Sequence, residues 1–232
     1  MAYVPAGYFW MGSTDADAMA VDFEKPQHRV YLDAFWIDRT EVAVGQYRAC
    51  ARVGVCSPPE EMSSVTRPNY FDGGTFDDYP VLWVNWYGAD TYCRWVSARL
   101  PTEAEWERAA RGTDGRIFPW GDAWDESRTN AVGRLGDTRP VGSFSGGASP
   151  YGVLDMSGNV WEWVADWFSD SYYASSPERN PQGPSSGSER CVRSGSWYSR
   201  IAWQRTANRG SAKPSLSDDD VGFRCVQDVV NP

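Results

Sequence analysis

Apolar and polar positions change period repeatedly along this chain, and the changes mark out short elements. Residues 4–13, VPAGYFWMGS, are an aromatic run ended by glycine, and residues 29–38, RVYLDAFWID, alternate at the period of two expected of a half-buried strand. Together they predict a hairpin with a long acidic loop over residues 14–24. Residues 41–54, EVAVGQYRACARVG, shift to helical spacing, with Val42, Tyr47 and Cys50 inward and Gly54 as the stop. A second helix is expected over 87–98, where Ala89, Tyr92, Cys93 and Val96 share one face. A third begins at Thr102, with Glu105 as capping-box partner and Glu103 near the positive end of the dipole, and stops at Gly112. Its carboxylates are therefore assigned a structural role.

Residues 57–79 are polar and irregular, and 118–156 are mostly turns. Gly158 and Asn159 fit a left-handed turn anchored by Trp161 and Trp163, with Asp155 and Glu162 on its two sides. Hard oxygen donors in that arrangement suit calcium, although such a turn more often holds no metal. Near the C-terminus, residues 190–226 begin and end like strands, at 191–193 and 221–226, around an irregular interior rich in Ser, Arg and Asp. Backbone supported at both ends can present varied side chains, so the segment is either a recognition surface or an ordinary surface loop.

Composition narrows the choices. Thirteen Trp, twelve Tyr and nine Phe predict a core of large aromatic anchors, and 22 Gly with 15 Pro predict much irregular structure. A chain of 232 residues is large enough for one domain spanning 1–232. A net charge of −9 argues against nucleic acid as a partner. No apolar run approaches the roughly 18 residues that span a bilayer, so membrane insertion is not expected and location stays open. The N-terminus lacks the basic and apolar regions of a signal peptide. His28 is the single histidine, which excludes a His-rich metal site; at the start of a strand it is read as structural. None of the five cysteines has CxxC spacing, and Cys50 and Cys56 lie close enough along the chain to bridge.

The motifs RLPTEAEWERAARG, FPWGD, YGVLDMSGNVWEW, VRSGSW and VGFRCV resemble the formylglycine-generating-enzyme, or sulfatase-modifying-factor, family over nearly the whole chain. The resemblance implies an α+β, C-type-lectin-like fold in which the C-terminal segment lines the binding groove. It implies structural calcium at Asp155, Gly158, Val160 and Glu162, the middle two through carbonyls, and leaves a second site near Asn130 and Asp137 open. It also implies a disulfide between Cys93 and Cys225. Where the family's enzymes hold copper(I) on two cysteines after the GGS motif, this chain has Ser199 and, approximately, Gln204. A hydroxyl and a carboxamide do not replace two thiolates, so no copper and no oxidase activity are expected.

The segment also resembles the variable proteins of diversity-generating retroelements, which share this fold. Copying errors at template adenines there turn AAC codons into any codon ending in C. Tyr198, Ser199, Arg200, Ile201, Ala202, Gly210, Ser211, Ala212, Ser215, Leu216, Ser217, Asp218, Asp219 and Asp220 belong to the reachable set; Trp203, Gln204 and Lys213 do not. The expected ligand-binding residues are 198–204, Gly210, Ser211, Ala212, Lys213, Ser215, Leu216, Asp218 and Asp219, facing a protein or other surface ligand. The alternatives are a formylglycine-type oxidase and a sensory or scaffold module of a larger protein.

Overall fold

The computed structural model describes residues 1–229; residues 230–232 of the expected domain lie outside the described part. The expected hairpin forms, but as two pairs. Pro5 has no N–H for a ladder, and the run breaks there into β1 (Ala2–Val4) and β2 (Gly7–Met11). Its partner run breaks likewise into β3 (His28–Leu32) and β4 (Phe35–Ile37), with β2 against β3 and β1 against β4. His28 is structural as expected: its ring packs edge-on to Tyr173 and its Nδ1 meets the Pro26 carbonyl at 3.0 Å.

The first helix, α1 (Val44–Arg52), starts later than the expected 41. Val42 is held extended instead, its N–H donating to the Phe223 carbonyl and its own carbonyl accepting from Val81, both at 2.9 Å. The second, α2 (Trp86–Trp95), is capped by the Asn85 side chain, which accepts from Gly88 N–H at 3.0 Å. The third, α3 (Glu103–Arg111), has the expected capping box: Thr102 accepts from Glu105 N–H at 3.2 Å, and the Glu105 carboxylate accepts from Thr102 N–H at 2.8 Å. All nine of its residues are buried, the charged ones included, so its charges must be paired inside the protein.

A four-stranded sheet carries the C-terminal half, in the order β7 (Gly210–Ala212), β6 (Arg190–Arg193), β5 (Trp161–Trp167), β8 (Val221–Phe223). Strand β8 lies parallel to β5 and the other pairs are antiparallel. The expected strand 221–226 is two strands in two sheets. After β8 the chain turns inward at Arg224 and Cys225, and β9 (Val226–Asp228) joins β4 on the other side. Two apolar clusters fill the interior, one around Tyr47, Tyr92, Trp163 and Phe223, the other around Phe9, Trp106, Val164 and Val226.

The Cys93–Cys225 bridge implied by the family resemblance is present, and so is Cys50–Cys56. Cys93–Cys225 ties α2 to the junction of the two sheets across 132 residues, a loop length for which the chain-entropy model gives roughly 5 kcal/mol. No helix among the described residues is long and apolar enough to cross a membrane.

Candidate functional site

The stem of the 190–226 segment is gripped from within by buried arginines. Arg193 donates to Glu103 at 2.9 Å and to Glu107 at 2.8 Å. Arg209 takes both oxygens of the same Glu103, at 2.7 and 2.9 Å, so one carboxylate of α3 bridges the outgoing and returning strands. Arg205 pairs with Glu24 at 2.6 Å and Asp17 at 2.9 Å in the N-terminal loop, and Arg224 with Glu162 at 2.7 Å. Every one of these guanidiniums is almost wholly buried. Charges out of water persist only with such partners, and bidentate pairing fixes their geometry.

Between the stems the backbone is braced again. Gly195, at φ +72°, passes so close to the Trp203 carbonyl that an added Cβ would lie 2.7 Å from it. Ser199 and Gln204, expected to face a ligand, are instead 4% and 0% exposed. The Ser199 hydroxyl accepts from Ser196 N–H at 3.0 Å, and the Gln204 carboxamide donates to the carbonyls of Ser196 and Ser199 at 2.9 and 3.1 Å. Short polar side chains over a tight turn satisfy its backbone before they reach solvent, which corrects both assignments.

What remains open is Tyr198, 73% exposed, with Arg200, Ile201 and Trp203. Arg200 lies 4.9 Å over the Trp203 ring, and Trp203 faces Trp161 with ring centroids 6.3 Å apart. Beside this pair is a cleft of about 270 Å³, reached by Ala202, Trp203 and Gly210 from the expected set. Met19, Val21, Phe23, Trp161 and Asn208 line it too, together with the buried Arg205 and Arg209, and the buried Asn208 Nδ2 has no hydrogen-bond partner. None of those five was foreseen. The loop 14–24 was read only as a connection, and nothing in its local pattern signals that Arg205 draws it against β5.

The rest of the expected set lies elsewhere. Ser211 donates to Glu189 at 2.6 Å, and Ala212 packs against the Tyr47 cluster. Lys213, Ser215 and Leu216 are exposed on a turn beside the start of α2, where Trp86 N–H donates to the Pro214 carbonyl at 3.1 Å. Trp83 N–H meets the Asp218 carbonyl at 3.0 Å, and the carboxylates of Asp218, Asp219 and Asp220 gather within 4.8 Å. Burial pushes Asp220 up to about 6, and its carboxylate accepts from the Ser196 hydroxyl at 2.7 Å.

The expected calcium set does not present four open oxygens. Gly158 is required at its turn, at φ +85°, because an added Cβ would strike the Asn130 carbonyl and the Thr129 hydroxyl, each at 2.3 Å. Its own carbonyl accepts from the Ser194 hydroxyl at 3.2 Å. Asp155 accepts from Gly142 N–H at 2.5 Å, and burial pushes both it and neighbouring Glu41 upward. Glu162 accepts from Arg224 on both oxygens, at 2.7 Å each, and from Trp106 Nε1 on Oε2 at 2.8 Å. Arg224 and a calcium ion would therefore share the Glu162 carboxylate, while Asp155 keeps its second oxygen. At the second place, Asp137 is held by Ser64, Thr66, Thr138 and, at 2.9 Å, Arg67, while the buried Asn130 Oδ1 is unpartnered.

Residues 1–229 match the model of the sulfatase-modifying factor enzyme 1-like domain. The chain belongs to that family. It is 34% identical to the formylglycine-generating enzyme of Streptomyces coelicolor, over 97% of this chain and 88% of that one. It is 35% identical to the serine/threonine-protein kinase pkn1 of Chlamydia caviae, where 99% of this chain spans only 38% of the kinase. Among solved structures, Treponema denticola variable protein 1 superposes with a TM-score of 0.79 at 26% identity, covering 97% of this chain and 94% of that one. Architecture and neighbours agree on the α+β, C-type-lectin-like fold of the family. Of the five cysteines, four are paired, and Cys191 is buried with its sulfur 3.6 Å from Glu103. Burial, and then the Glu103 charge, push its thiol well up.

Proposed function

We propose that this family member is a non-catalytic binding protein that grips a protein or other surface ligand through Tyr198, Arg200, Ile201, Trp203 and the adjoining cleft. The observation that carries the reading is the division of labour within the loop. Its inward residues lock the backbone, through Ser199, Gln204 and four buried arginine pairs, and its outward residues are a Tyr, a Trp, an Arg and an Ile, open to a partner. Large aromatic and guanidinium groups on a rigid base are what binding hot spots use. Variation at such outward positions costs the fold little, the Treponema neighbour is named a variable protein, and we extend the proposal to a hypervariable surface. Sequencing DNA flanking the gene tests that extension: a near-identical repeat with Asn codons in place of those for Tyr198, Arg200 and Ile201, beside a reverse transcriptase, is expected, and a solitary gene removes it.

The 34% identity to a formylglycine-generating enzyme favours one other reading, an oxidase of that type. Copper(I) on two thiolates has no counterpart beside this loop, where Cys191 alone is unpaired and lies buried with its proton tightly held. Incubation with copper and a cysteine-containing sulfatase peptide separates the two. Absence of aldehyde product is expected, and turnover would replace the binding reading with the oxidase.

A further inference from the structure

Away from the loop, a cavity of about 470 Å³ opens where α2, the start of α3 and the turn between β3 and β4 meet the first residue of β6. Its wall carries three arginines. Arg94 is paired with Asp90 at 2.7 Å, and Arg99 with Glu105 at 2.7 Å and Asp228 at 2.5 Å. Asp33, also in the wall, is paired with Arg179 at 2.7 Å. Arg190 is the exception: it has no carboxylate partner among the described residues.

Arg190 is nevertheless held in place. Its guanidinium lies between the rings of Trp86 and Trp167, 3.9 and 3.5 Å from their centroids, and one nitrogen donates to the Ala165 carbonyl at 2.5 Å. Its Nε is buried with no acceptor, and its Nη2 has none among the described residues. A guanidinium stays charged even where burial lowers its proton affinity, as it does here. Nη2 is thus the open donor of a planar fork fixed by stacking on both faces, and a carboxylate oxygen is its match.

We propose that this cavity binds a small monocarboxylate through the Arg190 guanidinium, with the apolar part of the ligand against Trp86, Leu32 and Leu100. A single negative charge is the better match than two. The four acids of the wall are met by Arg94, Arg99 and Arg179, which leaves one acid in excess, and Arg190 brings the total to neutral. In that neutral surrounding a carboxylate leaves one charge in excess, whereas a dianion such as phosphate leaves two. The volume is within the range of small-molecule sites, roughly 300–1,000 Å³, and the donor is pre-organised before any ligand arrives.

Titration calorimetry of the full chain at pH 7 and low salt, with N-acetylglycine, N-acetylglycinamide and inorganic phosphate as probes, tests this. Saturable heat is expected for N-acetylglycine, none for the amide, and at least tenfold weaker binding for phosphate. Arg190→Gln is expected to weaken N-acetylglycine at least tenfold. Ala34→Trp, which fills the cavity from its lining and leaves Arg190 in place, is expected to do the same, and decides the matter if Arg190→Gln does not fold. Trp203→Ala, in the distant loop, is expected to bind as the parent does. No saturable heat from the parent, equal binding of acid and amide, tighter binding of phosphate, or parental affinity in Ala34→Trp would each overturn the assignment. Loss of binding in Trp203→Ala would overturn it too, by moving the event to the loop cleft. Since this site is independent of the loop, its failure leaves the proposed loop function untouched.

Discussion

Gln204 and Tyr198 sit six residues apart and have opposite duties. Gln204→Ala leaves the carbonyls of Ser196 and Ser199 without their donor in a dry site, so the variant is expected to lose about 1–3 kcal/mol in a urea melt. Tyr198→Ala, which removes only an exposed ring, is expected to change stability by less than about 0.5 kcal/mol and to affect ligand binding alone. Asp220 adds a dependence on pH. Its folded-state carboxyl is raised to about 6 from 3.8, so the native protein takes up this proton before the unfolded chain does. The penalty of at most about 3 kcal/mol is fully present above pH 6 and is relieved as pH falls towards 4. Asp220→Asn is therefore expected to be the more stable protein at pH 7 and to lose its advantage near pH 4, a crossing that paired melts over that range would reveal. At this scale the sequence was a partial guide. Exposed Tyr198, Arg200 and Trp203 were legible from residue type, whereas the inward turn of Ser199 and Gln204 depends on carbonyls that only the folded turn brings beneath them.

Among the elements, α3 was the most legible, because a capping box and a C-terminal glycine are local signals that need no tertiary context. Thr102→Ala removes the cap and is expected to cost about 1 kcal/mol, measurable as a lower denaturation midpoint with unchanged m-value. Less legible was the use made of its buried face. Its carboxylates were assigned to the cap and the dipole, yet Glu103 and Glu107 are also the counter-charges of the loop's stem. Arg193→Met strands part of that charge and is expected to cost about 3–5 kcal/mol in the same melt. The strand 221–226 was misjudged for a related reason. It reads as one run, but Arg224 turns inward to Glu162 on the neighbouring strand β5 and breaks the run in two.

For the molecule as a whole, fold class followed from ordered motifs, and those motifs proved to be the places where distant segments meet. The Cys93–Cys225 bridge was implied by resemblance alone, since nothing in its 132-residue separation predicts contact. Reduction is expected to lower stability by several kcal/mol, and Cys93→Ala to reproduce most of that loss, with calorimetric melting as the readout. Motif spacing gives ligand identity without saying whether a neighbouring arginine has already claimed a carboxylate, and the cleft was invisible because it joins residues 19–23 to 161–210.

Glu103 holds Arg193 and Arg209 at once, from a helix that contributes nothing to the loop's outer surface. Whatever side chains occupy the tip, the distance between its two feet is decided by a residue outside the segment. A library randomised at positions 198, 200, 201 and 203 should therefore yield mostly folded members, each with its own appetite, from one invariant pedestal.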